Sequence, residues 1–333
     1  MFQSMKRPEI LEERNRLVSF FFFLAVSFNQ PRFCPNTTWN PNATTFASSN
    51  LVGTAPNEVF VDKNNTIYVT NGQTGRAMIW LGGISTQTRD IFIINTLWSL
   101  FVTAAGDIYG VGDNTNTGQV AKVTLNSSNS VPVMYVCGWC YDLFIDADNN
   151  LYCSIESHHQ IIARSLNSNS NAFTVIAGTG SPGSASDSFD RPYGIFVDTN
   201  FDLYVADCFN DRIQLFRSGQ SHAITMAGSG SLNITITLNR PTAVTLDENG
   251  YLFIVDHWNH RIVGSDANGF RCIVGCSGSS GPQSYELFHP RTLSFDSYGN
   301  LFVADEGNSR IQKFFLMTNS CSTYDKNQLK NLE

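Results

Sequence analysis

An all-β fold, a ring of six four-stranded units, is predicted by three features of this 333-residue sequence. One frame recurs six times along the chain. Each copy holds short runs of alternating apolar and polar residues. The last copy lacks a fourth strand, and a segment near the N-terminus can supply it. Self-similarity at a fixed period marks repeat architectures. Four short strands per unit of about 40–50 residues describe the blades of a β-propeller.

The frame is clearest at 191–216, "RPYGIFVDTNFDLYVADCFNDRIQLF". It reads basic residue, Pro, apolar alternation, Asp, turn, a Leu-aromatic run, Asp, two residues, Asn, one residue, Arg-Ile. It returns at 240–265 and 289–314, and in weaker form at 57–80, 98–123 and 141–165. The first-turn position falls at Asp62, Thr103, Asp146, Asp198, Asp247 and Asp296, at intervals of 41, 43, 52, 49 and 49 residues.

Taken in chain order, the first element is a leader. Lys6, Arg7, Arg14 and Arg16 precede "LVSFFFFLAVSF" (17–28), and Ala25 and Ser27 are small residues suited to a cut after Ser27. Residues 1–27 therefore read as a secretory signal peptide. The run is shorter than the roughly 20 apolar residues of a spanning helix; retained uncleaved, it would make the protein membrane-anchored. Residues 28–42 form a lead-in, 43–317 the propeller, and 318–333 a C-terminal tail.

Within the propeller, period-2 runs bounded by Gly, Asn and Asp read as strands. In the fourth unit they are a (193–198), b (202–207), c (212–217) and d (222–227). The sixth unit shows only a to c, within 292–315. "TTFA" (44–47) matches the strand d sequence "TVIA" (174–177) and is expected to complete that blade, removing free sheet edges. Cys34 lies ahead of this strand and Cys321 just beyond strand c, so a Cys34–Cys321 bridge would lock the ring. By loop-closure entropy it is worth about 4–5 kcal/mol. Cys140 and Cys153 flank strands a and b of unit three and can pair, with Cys137 competing.

Eight cysteines fit an oxidising compartment, and by the even count Cys208 is expected to be bridged. Cys137-Gly-Trp-Cys140 has no second C-x-x-C and reads as structural. Five sequons (Asn36, Asn42, Asn64, Asn126, Asn233) are no more than chance provides. They bear on glycosylation only in a secreted chain.

Six copies of one polar arrangement argue for scaffolding rather than six active sites. Asp198, Asp247 and Asp296 sit at a–b turns, where Asp caps its own backbone. Asp207, Asn210 and Arg212 surround a b–c turn, as do Asp256, Asn259 and Arg261, and Asp305, Asn308 and Arg310. Each Arg is expected to grip its Asp bidentately. What varies inside the motif is the pair after the Asp: Cys208-Phe209, His257-Trp258 and Glu306-Gly307. Phe209, His257, Trp258 and Glu306 are therefore the candidate binding-face residues.

This pattern resembles the NHL repeat family of six-bladed propellers, whose diagnostic core is D-x-x-N-x-R-I. The resemblance covers roughly residues 43–317, close in units four to six and eroded in one to three. Unit two has Thr103 and Gly112 in place of the two Asp residues, and unit three has Ile155 for the second. The resemblance implies several activities. Amidating lyases of the NHL-like group hold a central metal on histidines, but the strand a segments here contain none. Intracellular NHL proteins are fused to RING and B-box modules and act in RNA binding or ubiquitin ligation; no such zinc module occurs here.

Net charge is −7 and charged residues are 15%, with no basic run after residue 16. That excludes a nucleic-acid footprint. There is no Gly-x-Ser-x-Gly elbow and no phosphate loop. His257 and His260 share one b–c loop but lack a third metal ligand. No cofactor is expected; a structural metal would have to sit in the central channel. The expectation is an extracellular, non-enzymatic scaffold that recognises a protein, peptide or glycan through its blade loops.

Overall fold

The computed structural model describes residues 27–320 except 85, 88, 114–117, 128, 137, 169, 171 and 232–235. Of the expected signal segment 1–27 all but Ser27 lies outside the described residues, as do Cys137, Asn233, Cys321 and the tail beyond. Six four-stranded antiparallel sheets form the fold, each in the order a-b-c-d. Blade 1 comprises Pro56–Val61, Ile67–Asn71, Arg76–Trp80 and Arg89–Phe92, and blade 2 Ser99–Val102, Asp107–Asp113, Gly118–Thr124 and Val131–Val136. Blade 3 comprises Cys140–Ile145, Asn150–Ile155, Gln160–Ser165 and Thr174–Ala177. Blade 4 holds Pro192–Val197, Leu203–Asp207, Arg212–Phe216 and Ile224–Gly228, and blade 5 Pro241–Leu246, Leu252–Asp256, Arg261–Asp266 and Gly269–Val274.

Blade 6 takes Pro290–Phe295, Leu301–Asp305 and Arg310–Phe314 from the C-terminal end and Thr44–Ala47 as its outer strand. Thr44 pairs with Lys313, Thr45 with Gln312 and Ala47 with Ile311. The expected closure is therefore present. Phe46 packs edge-on against Trp80 of blade 1 and Phe302 of blade 6, each 5.4 Å between centroids. A further pair, Thr38–Trp39 with Leu316–Thr318, was not legible in the sequence and ties the lead-in to the chain after blade 6.

Strands b of blades 1, 4, 5 and 6 are buried along their whole length, as in Leu203–Asp207 and Leu301–Asp305, because neighbouring blades cover both faces. That is why they read as near-continuous apolar runs. The a–b turns are held as their Asp residues predict. Asp198 Oδ1 accepts the N–H groups of Asn200 and Asp202 at 2.8 and 2.9 Å, and Asp247 and Asp296 repeat this with the residues two and four further on.

The strands a contact one another in sequence, and blade 6 contacts blade 1, so blades 3 and 6 face each other across the axis. The lead-in closes the a–b end of the lumen. Phe28 lies edge-on to Phe101, Phe144 and Phe196 at 5.6–6.1 Å. Asn29 Nδ2 donates to the carbonyls of Asp62 and Phe295, and Gln30 Nε2 to that of Leu246. Sequence alone placed Phe28 at the end of the apolar leader run; in the fold it is a plug.

Cys140 and Cys153 are bridged across strands a and b of blade 3, as expected. A second bridge, Cys272–Cys276, ties strand d of blade 5 to its following turn. Cys34 is disulfide-bonded; its expected partner Cys321 lies outside the described residues. The expectation for Cys208 is corrected: it is a free thiol, buried under the b–c face, and desolvation raises its pKa. Burial, not pairing, accounts for it.

Candidate ligand-binding face

The b–c turns converge on the end of the ring opposite the Phe28 plug. Those of blades 3 to 6 are single 3-10 turns, each closed by a left-handed residue: His159, Asp211, His260 and Ser309. The repeated Asp, Asn and Arg build these turns. Asp207 Oδ1 accepts the Asp190 N–H, and its Oδ2 accepts from Asn210 Nδ2 and Arg212 Nε. Here the structure corrects the expected bidentate grip. Arg212 meets Asp207 through Nε alone, at 2.7 Å. Its other nitrogens donate to the carbonyls of Ser184, Ala185 and Ser188. Arg310 does the same with Asp305, Pro282, Gln283 and Glu286, and Asn308 binds Asp305. In blade 5, Asp256 holds Asn259 and Arg261, whose Nη2 reaches Thr237. The guanidinium serves the loop that leads into the blade, so only one nitrogen is left for the carboxylate.

The residue before each strand a proline carries the face outward. Arg191, Arg240 and His289 have φ of 51°, 48° and 50°, a left-handed conformation that non-glycine residues seldom adopt. It is held by the preceding blade. The Arg191 N–H donates to His159 Nδ1, that of Arg240 to Asp211 Oδ1, and that of His289 to His260 Nδ1. These latches aim the three side chains at the variable pairs of the b–c turns.

A ladder results. The Arg191 guanidinium lies 4.6 Å from the Phe209 ring, and that of Arg240 lies 4.4 Å from Phe209 and 4.3 Å from Trp258. Trp258 stacks on His289 at 5.6 Å, and His289 on His260 at 4.8 Å. Phe209 and Trp258 thus neither project alone nor pack only between blades: they clamp Arg240. Stacking uses the ring faces, so the polar edges point away from the stack. Trp258 is 45% exposed. Sequence reasoning missed Arg191 and Arg240; their recurrence before proline was visible, but not that the turn residues would stack on them.

Below the ladder, the lumen mouth is filled by side chains. Arg291 of blade 6 crosses to blade 3, where its guanidinium lies 4.6 Å from the Tyr141 ring, and its Nη1 is 3.3 Å from Glu306 Oε2. Tyr141 stacks on Tyr193 at 3.9 Å. His257 Nδ1 lies 2.8 Å from the Pro290 carbonyl, which can only accept, so Nδ1 carries the proton. Burial, with His289 and Arg291 nearby, pushes the His257 pKa down to about 4. Deeper, burial and the neighbouring Asp142 hold Glu58 well above the usual carboxylate range, and burial lifts Asp142 to about 6. Asp142 ties three blades together: it accepts from Ser99 Oγ and from the N–H groups of Leu143 and Ile195.

The three histidines of blades 5 and 6 meet through ring faces, which present no lone pair to an ion. Among the described residues no group of three or more His, Cys, Asp or Glu is placed to hold a metal.

Fold and ring define a six-bladed β-propeller. No family model and no curated protein matches the sequence. Solved structures do. A protein of unknown function from Bacteroides thetaiotaomicron has TM-score 0.65 and 16% identity over 83% of this chain and 76% of that one. An auxiliary nutrient binding protein from the same organism has TM-score 0.64 and 14% identity over 88% and 76%. A gluconolactonase from Xanthomonas campestris has TM-score 0.60 and 13% identity over 88% and 97%. At these identities the likeness is one of fold, and it spans binding proteins and enzymes alike.

Proposed function

We propose that the chain is a secreted, NHL-like propeller that binds a ligand on its b–c face without transforming it. The observation that carries this reading is the ladder Arg191–Phe209–Arg240–Trp258–His289. Its rings Phe209 and Trp258 stand at positions that vary within the repeat, and its Arg191, Arg240 and His289 are held at positive φ. Strain of that kind persists where the surroundings over-determine it, commonly at binding sites. The formed disulfides belong to an oxidising, extracellular-type environment. No helix among the described residues is long and apolar enough to cross a membrane.

An enzymatic reading has one feature in its favour, the Glu58–Asp142 carboxyl pair. Asp142 is already committed to three donors, and Arg291 lies across the lumen mouth. Both facts favour a role in holding the inner strands.

The test is a binding screen of the purified full chain against arrays of extracellular glycans, peptides and receptor domains, run beside the double variant Phe209→Ala/Trp258→Ala. Binding by the wild type and its loss in a variant that still unfolds cooperatively is the expected result. Undiminished binding by the variant refutes the assignment to this face. A chemically altered ligand recovered after incubation refutes the non-enzymatic reading.

A further inference from the structure

Every described arginine but one donates to a carboxylate, a side-chain amide or a backbone carbonyl. Arg76, Arg191, Arg212, Arg217, Arg261, Arg271, Arg291 and Arg310 pair with acids. Arg89 and Arg164 reach carbonyls and Arg32 an amide. Arg240 is held only by the faces of Phe209 and Trp258. Asp211 is close, but its Oδ1 takes the backbone N–H of Arg240, not the guanidinium. A planar guanidinium clamped on both faces keeps its N–H edge free and has already lost its rotamer freedom, so little ordering is left for binding to cost. That edge fits a carboxylate bidentately. With Asp211 nearby, a singly charged group is better matched than a doubly charged phosphate.

Trp258 is also a wall of a cleft of about 690 Å³ on blade 5 and its flanking loops, lined by Thr237, Asn259, His260, Arg261, Ser279 and Ser280 among others. Its charged group, Arg261, is committed to Asp256 and the Thr237 carbonyl, and its other polar groups are neutral. His260 Nδ1 accepts the His289 N–H, so neutral His260 carries its proton on Nε2; burial keeps its pKa below the usual value. Hydroxyls, an amide and an imidazole beside a free guanidinium are the complement of a polyhydroxylated acid.

From this, and resting on the reading of the b–c face as a binding face, we infer that the ligand is an acidic sugar of the hexuronate class. Its carboxylate sits on the edge of Arg240 and its hydroxyls enter the cleft beyond Trp258.

Calorimetric titration of the full chain with galacturonate, glucuronate and mannuronate trisaccharides tests the assignment. The galacturonate methyl ester, galactotriose and an acidic peptide serve as controls. At least one uronate is expected to bind. Its affinity should fall at least tenfold on methyl esterification and at least tenfold in Arg240→Gln, with Arg217→Gln, an exposed arginine away from the ladder, unchanged. Thr237→Val should weaken uronate binding severalfold while sparing the charge effect. If no uronate binds, or the ester binds equally well, or Arg240→Gln binds as the wild type does, the assignment is overturned. If galactotriose or the peptide binds instead and Phe209→Ala/Trp258→Ala abolishes it, the acidic-sugar assignment falls and the binding face stands. If binding of any probe survives the double variant, both fall.

Discussion

Arg212 shows how a surface motif becomes structural. Its side chain is 8% exposed and Asp207 is fully buried. Removing the guanidinium leaves a buried carboxylate and three loop carbonyls without their donor. Arg212→Ala is expected to cost about 3 kcal/mol in chemical denaturation, in the range for breaking a buried ion pair. Arg212→Lys should recover little, because an ammonium cannot reach Asp207 and the 184–188 loop together. His257 behaves differently because its charge is the variable. Its pKa falls from 6.5 to about 4 on folding, so its contribution to stability is complete above pH 6.5 and is lost as pH drops through 4. His257→Gln should therefore flatten the loss of stability between pH 7 and pH 4 in urea titrations. Asp142 has the opposite sign. Raised from 3.8 to about 6, it contributes most below pH 3.8, and that contribution is lost as pH rises through 6.

At the scale of elements, the seam between Thr44–Ala47 and Arg310–Phe314 is the test of the ring. Without residues 27–47, blade 6 keeps three strands and an open edge. Such a truncated chain should elute as aggregates in size-exclusion chromatography and lose its single cooperative urea transition. The seam was legible because strand d has its own local signature, "TTFA" against "TVIA". Strands d of blades 1 and 2, Arg89–Phe92 and Val131–Val136, carry no such signature, and only pairing with their neighbours defines them. The motif residues were legible for the same reason as the seam: repetition. The ladder was not, because it joins Arg191, Phe209, Arg240, Trp258 and His289 across three blades. No single repeat contains more than two of them. Local pattern reveals what a blade needs for itself, whereas a binding face is built from what neighbouring blades do to each other.

For the whole molecule, stability is shared among the ring, the plug and the bridges. The Cys140–Cys153 bridge closes a 13-residue loop, and replacing both cysteines by serine should cost about 3 kcal/mol. Buried Cys208 should resist maleimide labelling in the native protein and react only once the chain unfolds; labelling at native pH would disprove its burial. Phe28→Ala should loosen the a–b end, lowering stability by about 2–3 kcal/mol through a cavity among the lumen phenylalanines. The binding proposed for the other end should stay intact.

The seam also sets a timetable. Thr45 and Gln312, hydrogen-bonded across it, are 267 residues apart. At about 5–20 residues per second of synthesis, the strand that completes the last blade leaves the ribosome tens of seconds before its partner exists. Throughout that interval it is an unpaired β-segment carrying Phe46. For that interval the hazard is pairing of this strand with some other edge.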